Sequence, residues 1–329
     1  MRIGVFCSGG DAPGMNACVR AIVRSAASRG HEVVGIMRGY QGLINEEFFV
    51  DPNCKPFLSP YRVTTWAAHG GAHLRSSRSE EFRKPEGQTA AMNVLNKHGI
   101  DALIPIGGDG TFHGAVALGK IWDGQIVGCP GTIDNDLIGT DYTIGFSTAV
   151  QTAVEAVDKI RDTASSHDRM FLVEVMGRHS GYIALYTALA SGADIVAIPE
   201  TETNFPEIIT QLNKLKQRGR SMAIMIVAEG DEKGGAEQIN SQLIEHDCPF
   251  STRTIVLGHL QRGGVPTPED RRRATQMGAG AVDAILAGET GMMIGTRDDR
   301  CVRVPFNQTF EAHRQVSMEL LKVQKEMAS

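Results

Sequence analysis

Short β-branched runs alternate along this chain with stretches of helical period, and glycine-rich segments close most of the runs. Residues 2–7 read as a strand, followed by the loop SGGDAPG (8–14) and a helix to about residue 28. Residues 32–37 form a second expected strand, with GYQG (39–42) turning out of it, and residues 52–85, holding Pro52, Pro56, Pro60 and Pro85, read as irregular. A helix over about 87–98 leads to a strand at 101–106, then GGDG (107–110) and another helix; 125–130 is the next strand. The helix from about 147 sets Val150, Ala153, Val154, Val157 and Ile160 on one stripe, a 3.6-residue period. Further strands are expected at 170–175, 193–198, 222–228 and 252–257, with a helix at 206–218. Alternation of this kind makes doubly wound, mostly parallel sheets with helices on both faces, so the expected class is α/β. Such sheets take ligands beyond the carboxyl ends of their strands. A composite site built from many loops is therefore expected.

The length, 329 residues, favours two units or one large α/β body. Glycine, at 37 residues, is over-represented and clusters where runs end, as tight strand-to-helix turns require. A net charge of −5 with interspersed signs points away from nucleic acid. The six cysteines are scattered, without metal-ligand spacing, and sit mostly beside apolar runs, where a reduced cysteine behaves as a small hydrophobe. The chain enters its first strand without a signal-peptide pattern, and no apolar stretch reaches the ~20 residues of a membrane helix. These features describe a soluble cytoplasmic enzyme without a membrane partner.

Two loops share one design: Ser8-Gly9-Gly10-Asp11 and Gly107-Gly108-Asp109-Gly110-Thr111. Glycine lets backbone N–H groups face an anion, and the following helix N-terminus adds a favourable dipole. Neither is a Walker A loop or a GxGxxG fingerprint. Turns with aspartate N-caps are the plain alternative; two such loops in one doubly wound frame favour phosphate. Asp109 is the natural Mg²⁺ partner, since Mg²⁺ takes one or two carboxylates together with substrate phosphates. In PGTIDND (130–136), Asp134 or Asp136 could share that task, leaving the other as a base towards an alcohol. A carboxylate suffices as base where the transition state is loose and the proton leaves late. Arg78, Arg83, Arg169, Arg178, Arg253 and Arg262 fall on expected loops or strand edges, and Arg262 with His259 flanks a glycine turn, as a phosphate monoester site would want. Two anion sites, one with metal and a base between them, describe a kinase acting on a phosphorylated alcohol.

SGGDAPGMN, GGDGT, PGTIDNDLIGTDYTIGF, VEVMGRHSG and GHLQRGG, in this order and spacing, resemble ATP-dependent 6-phosphofructokinases of the bacterial type, from residue 2 to about residue 300. The resemblance implies transfer of the γ-phosphoryl of ATP to the 1-hydroxyl of fructose 6-phosphate, with Mg²⁺. It implies Asp134 as base, Asp136 with Thr132 supporting the metal and the moving phosphoryl, Asp109 as the magnesium-side acid, and Arg78 with Arg178 among the catalytic residues. Gly10, Tyr40, Arg78, Arg83, Gly108, Gly110, Thr111 and Gly114 would line the ATP side. Met176, Gly177, Arg178, Glu229, His259 and Arg262 would form the sugar-phosphate pocket, with Arg169 and Arg253 reaching the 6-phosphate of a neighbouring subunit, which implies a homotetramer. Pyrophosphate-using relatives typically carry aspartate at the position of Gly110 and lysine at that of Gly131, so ATP is the expected donor.

The family's effector site is matched by Arg20, Arg24, Arg161 and Asp194, with Arg218 and Arg220 standing where lysines are common; a family arginine falls near Pro60, and Arg75 replaces a usual glycine. Two domains are implied, 1–145 plus 263–306 for ATP and 146–262 plus 307–329 for the sugar, with the site in the cleft between them and a C-terminal helix over about 308–326. The alternatives are a pyrophosphate-dependent enzyme, a nucleotide-binding regulator without catalysis, and a dehydrogenase; the last is disfavoured by the missing GxGxxG and ribose-binding acid.

Overall fold

The structure, a computed structural model, describes residues 1–50, 57–164 and 169–328; Pro52, Cys54, Pro56 and the start of the 52–62 segment lie outside the described residues. In chain order the elements are β1 (Arg2–Cys7), α1 (Met15–Ala27), β2 (Glu32–Gly35), α2 (Gly39–Ile44), α3 (Pro85–Lys97), β3 (Ala102–Gly107), α4 (Asp109–Leu118), β4 (Gln125–Thr132), β5 (Ile144–Gly145) and α5 (Phe146–Ala164). There follow β6 (Arg169–Val175), α6 (Tyr182–Ser191), β7 (Ile195–Ala197), α7 (Phe205–Gln217), β8 (Ala223–Ala228), α8 (Ala236–Glu245), β9 (Ser251–Val256), α9 (Pro268–Leu286), β10 (Met292–Arg297), β11 (Arg300–Pro305), α10 (Phe306–Thr309) and α11 (Met318–Met327). The class is α/β with mostly parallel sheets. No helix among the described residues is long and apolar enough to cross a membrane.

Two compact units emerge. The first comprises Met1–Ile133, Leu137–Thr148 and Arg262–Ala312; the second comprises Asp134–Asp136, Ala149–Gln261 and His313–Ser329. The sheet of the first unit runs β11-β10-β4-β3-β1-β2, with β5 paired to β4. All its pairings are parallel except β10 with β11. Its core gathers Phe6, Leu43, Leu95, Leu103, Phe112 and Phe306 from both sequence ends of the unit. β1 lies between β2 and β3, so the chain leaves it towards opposite edges, and the loops after β1 and β3 open at this topological switch point. The sheet of the second unit is fully parallel, in the order β7-β8-β6-β9, over a core that includes Met170, Leu172, Met225, Leu212 and Ile239. α7 buries Phe205, Ile208, Leu212 and Leu215, one helical stripe, and starts where the Asn204 side chain accepts from Glu207 N.

Several local expectations are corrected. The C-terminal helix expected over 308–326 is broken in two. The Thr309 hydroxyl closes α10 on Phe306 O at 2.7 Å, and the Ser317 hydroxyl starts α11 by accepting from Leu320 N at 3.3 Å. GYQG is no turn but the opening of α2, which buries Tyr40 and Leu43. On α5 the fully buried line is Ala149, Ala153, Val157, Ile160 and Ala164, with Val150 and Val154 at its margin. The hairpin of β10 and β11 escapes a pattern of alternating strands and helices; its turn places Asp298 and Asp299 at φ of 48° and 59°, the primed-turn geometry that aspartate tolerates.

One buried carboxylate ties the first unit together. Asp270, fully buried in the first turn of α9, accepts from Gly145 N at 3.0 Å, Thr148 N at 2.8 Å and the Thr148 hydroxyl at 2.6 Å, so it caps the start of α5 from another helix. Asp270→Ala would leave those donors buried without their acceptor. The expected loss is about 2–4 kcal/mol, measured as a lower denaturant midpoint at unchanged slope.

Candidate active site

The first unit brings the two glycine loops together. Ser8 N donates to Ile106 O at 2.9 Å and the Thr111 hydroxyl to Ser8 O at 3.4 Å, which holds the first glycine loop beside the third. Gly9 N donates to Ser77 O at 3.2 Å, bringing the backbone next to Arg78 against the same loop. α4 starts at Asp109, whose Oδ1 accepts from Gly110 N at 2.6 Å. Nothing stands within 4 Å of where a Cβ on Gly110 would be, whereas one on Gly131 would meet Met15 Cε at 2.8 Å and Ile106 Cγ2 at 3.0 Å. Gly108 faces the Thr132 side chain, with 3.7 Å from its ideal Cβ to Thr132 Cβ. Tyr40 is buried, stacks on Phe82 at 3.9 Å and donates to Thr111 O at 2.8 Å; Gly114 leaves room for its ring. Burial holds the Tyr40 phenol well above its ordinary pKa. Arg83 is exposed and pairs with Glu80 at 3.3 Å.

Arg262, read from sequence with the sugar pocket, lies in this unit on the first glycine loop. Its Nη1 donates to Asp11 O at 3.0 Å and would stand within van der Waals overlap of a Cβ on Gly10, so Gly10 is the gap through which the guanidinium reaches the loop. Arg75 has a φ of 55°, in the left-handed region where arginine is rare and glycine is at ease.

The second unit holds the other half of the residues singled out from sequence. Asp134 is buried, at 3% exposure, and Arg178 Nε stands 3.7 Å from its Oδ2. The Ser180 hydroxyl donates to Asp134 O at 3.0 Å. Glu229, just after β8, accepts from Arg178 N at 2.8 Å and Gly177 N at 3.3 Å through one oxygen, pinning the loop after β6. That loop holds Arg178 at φ 53°, a strained conformation for a non-glycine residue, with Met176 buried before it. Asp136 O accepts from Arg314 N at 3.1 Å. His259 is exposed, in the short helical turn after β9.

Arg169 and Arg253 are not brought to this loop. Arg169 opens β6 and Arg253 sits early in β9, opposite Phe171. Six residue steps of strand run from Arg169 to Val175, roughly 20 Å at about 3.3 Å per residue.

Of the residues matched to an effector site, the second unit gathers Asp194, Arg161 and Arg220. Asp194, 4% exposed, accepts from Ile224 N at 2.9 Å and Arg220 Nη2 at 3.1 Å. Burial raises its pKa, while the Ile224 N–H and the Arg220 and Arg161 charges oppose the rise. Arg161 donates to Gly192 O at 3.1 Å, and Arg218 follows the last turn of α7. In the first unit Arg20 Nε donates to Thr64 O at 3.3 Å, and Arg24 is exposed at the end of α1.

Asn16 was missed by sequence reasoning. It is 1% exposed, donates to His69 O and Gly70 O at 3.0 and 3.1 Å, and accepts from His73 N at 2.7 Å. It thereby fixes the segment leading to Arg78. The available signal was a polar amide in the apolar stripe of α1.

Residues 2–285 match the phosphofructokinase family. The chain is 46% identical over 327 residues to ATP-dependent 6-phosphofructokinase 1 of Thermus thermophilus, covering 99% of both chains. It is 47% identical over 310 residues to the ATP-dependent 6-phosphofructokinase of Lactococcus lactis subsp. lactis, covering 94% of this chain and 88% of the relative. Among solved structures, phosphofructokinase from Saccharomyces cerevisiae superposes with a TM-score of 0.84 at 36% identity; this chain is covered to 99% and spans 46% of the yeast chain. A pyrophosphate-dependent phosphofructokinase from Marinobacter aquaeolei superposes at 0.83 with 21% identity, covering 97% and 86%, a likeness of fold alone. With a family match over most of its length and relatives nearly half identical from end to end, the chain belongs to the phosphofructokinase family.

Proposed function

We propose that the chain is an ATP-dependent 6-phosphofructokinase, moving the γ-phosphoryl of ATP to the 1-hydroxyl of fructose 6-phosphate to give ADP and fructose 1,6-bisphosphate, a glycolytic reaction. The observation that carries the reading is the buried Asp134 carboxylate, approached by Arg178 and tied through Ser180 to a loop that Glu229 pins. A carboxylate so held can take the sugar hydroxyl proton late in transfer, where positioning counts more than basicity.

Gly10, Gly108, Gly110, Thr111 and the start of α4 would receive the ATP phosphates, with Arg78 and Arg178 neutralising the moving group and Thr132 and Asp136 at its flank. Tyr40 and Gly114 serve the nucleotide by setting α4, and Arg83 would stand at the rim. Met176, Gly177, Glu229 and His259 would hold the sugar phosphate. Arg262, beside Gly10, would act from the ATP-side loop. Arg169 and Arg253, remote from their own chain's sugar loop, suit a neighbour's 6-phosphate, which supports a homotetramer with shared sites. Arg161, Arg218 and Arg220 of the second unit, and Arg20 and Arg24 of the first, would serve an anionic effector, with Asp194 positioning Arg220. A cytoplasmic location fits this chemistry.

Mg²⁺ fits the residues present. No group of three His, Cys, Asp or Glu side chains forms a metal cage among the described residues. Phosphate-bridging Mg²⁺ needs only one or two carboxylates, and Asp109, half-buried at the open N-terminus of α4, can supply one. When bound, Mg²⁺ neutralises charge on the β- and γ-phosphates.

A coupled assay with fructose 6-phosphate tests the reading. Turnover is expected with ATP and Mg²⁺, to be lost on chelation, and to be roughly tenfold or more lower with pyrophosphate. Equal turnover with both donors would overturn it.

A further inference from the structure

The loop that ties Ser180 to Asp134 is held at its far end by another carboxylate. Glu200, in the turn after β7, accepts from Gly181 N through Oε1 at 2.9 Å. Its Oε2 is buried and has no hydrogen-bond partner among the described residues. Gly181 makes the approach possible: a Cβ there would overlap Glu200 Oε2 and stand 2.6 Å from Ile198 Cβ. Gly181 precedes the first turn of α6, so Glu200 occupies the positive end of that helix. Desolvation raises the Glu200 pKa, with the Gly181 N–H opposing. A protonated carboxyl would serve this place as well as an ionised one, because Oε1 accepts in either state.

We propose that Glu200 is a positioning residue for phosphoryl transfer: by fixing Gly181 it sets Ser180, and through the Ser180 hydroxyl it sets the backbone that carries Asp134. It acts through the 176–181 loop and not on the substrate. The inference rests on the reading of Asp134 as the base. The chain of contacts is short and closes in the interior: half-buried Glu200 to Gly181 N, Ser180 one residue away at 1% exposure, and Ser180 Oγ to Asp134 O at 3.0 Å. Misplacement of a reacting group by about 1 Å can cost roughly 100-fold in rate.

The test separates reach from charge. Glu200→Gln keeps the acceptor at the same reach without a charge. Glu200→Asp keeps the charge and withdraws it by one methylene; Glu200→Ala removes both. For Gln, kcat and the KM for fructose 6-phosphate are expected to stay within about threefold of wild type. For Asp and Ala, kcat should fall roughly 10- to 100-fold and the sugar KM should rise, with the KM for ATP unchanged. A mere loss of folded protein would lower kcat and leave both KM values alone; that result overturns the inference, as does an Asp variant that works like wild type. Asp134→Asn in the same assay tells the two readings apart. Retained turnover in Asp134→Asn removes the base assignment. An inactive Asp134→Asn beside a wild-type-like Glu200→Asp removes only the positioning role.

Discussion

Replacing Asp134 by asparagine should lower kcat by roughly 10²- to 10⁴-fold, the usual worth of a positioned general base, and leave the affinity for fructose 6-phosphate within a few fold. The amide has the shape of the carboxylate. Asp134 is 3% exposed, and its backbone carbonyl, which accepts from Ser180, is untouched by the change. What is lost is the ability to take a proton from an alcohol as the phosphoryl group arrives. Arg178, 3.7 Å away, would then face a neutral group and could still serve the phosphoryl. A loss confined to kcat marks an interaction made in the transition state, and a loss confined to KM marks uniform binding. Steady-state kinetics with sugar-phosphate binding measured separately checks this, and a decrease in kcat of less than about tenfold would remove the base assignment.

The parts of this site that could be read from sequence are those where backbone geometry selects the residue. Glycine loops at strand ends leave a mark because their backbone takes conformations that side chains resist: Gly9 at φ 83° and Gly177 at φ 144° sit where side chains are strained. Asp109 at the head of α4 and the α7 stripe are likewise local. Illegible were the partners chosen across long sequence distances. Arg262 is read with His259 at a glycine turn, and its contact with Asp11, 251 positions away, is visible only in the folded chain. Glu200 belongs to none of the glycine-loop motifs, and Asn16 stands at the end of SGGDAPGMN, past its glycines. Each is explained by backbone groups from another segment that it satisfies. The broken C-terminal helix turned on two hydroxyls, Thr309 and Ser317, whose capping depends on which backbone groups the fold leaves open.

Substituting Gly110 by aspartate should separate stability from donor use. The site tolerates a side chain structurally, because nothing lies within 4 Å of the new Cβ and residue 110 is in the exposed first turn of α4. An acid there meets the positive end of the helix, worth about 0.3–1 kcal/mol in favour of folding. The melting temperature is therefore expected to hold or rise slightly. For ATP the sign reverses. A second negative charge about 5 Å from a phosphate, at an effective dielectric near 20, costs about 3 kcal/mol, roughly 200-fold in kcat/KM. Efficient use of pyrophosphate is not expected from this change alone. The lysine that the resemblance pairs with that aspartate would have to enter at Gly131, where Met15 and Ile106 leave no room for a Cβ without moving. Measured kcat/KM for both donors, alongside a thermal melt, decides the matter: a Gly110→Asp enzyme with wild-type efficiency on ATP would show that this turn does not face the nucleotide phosphates.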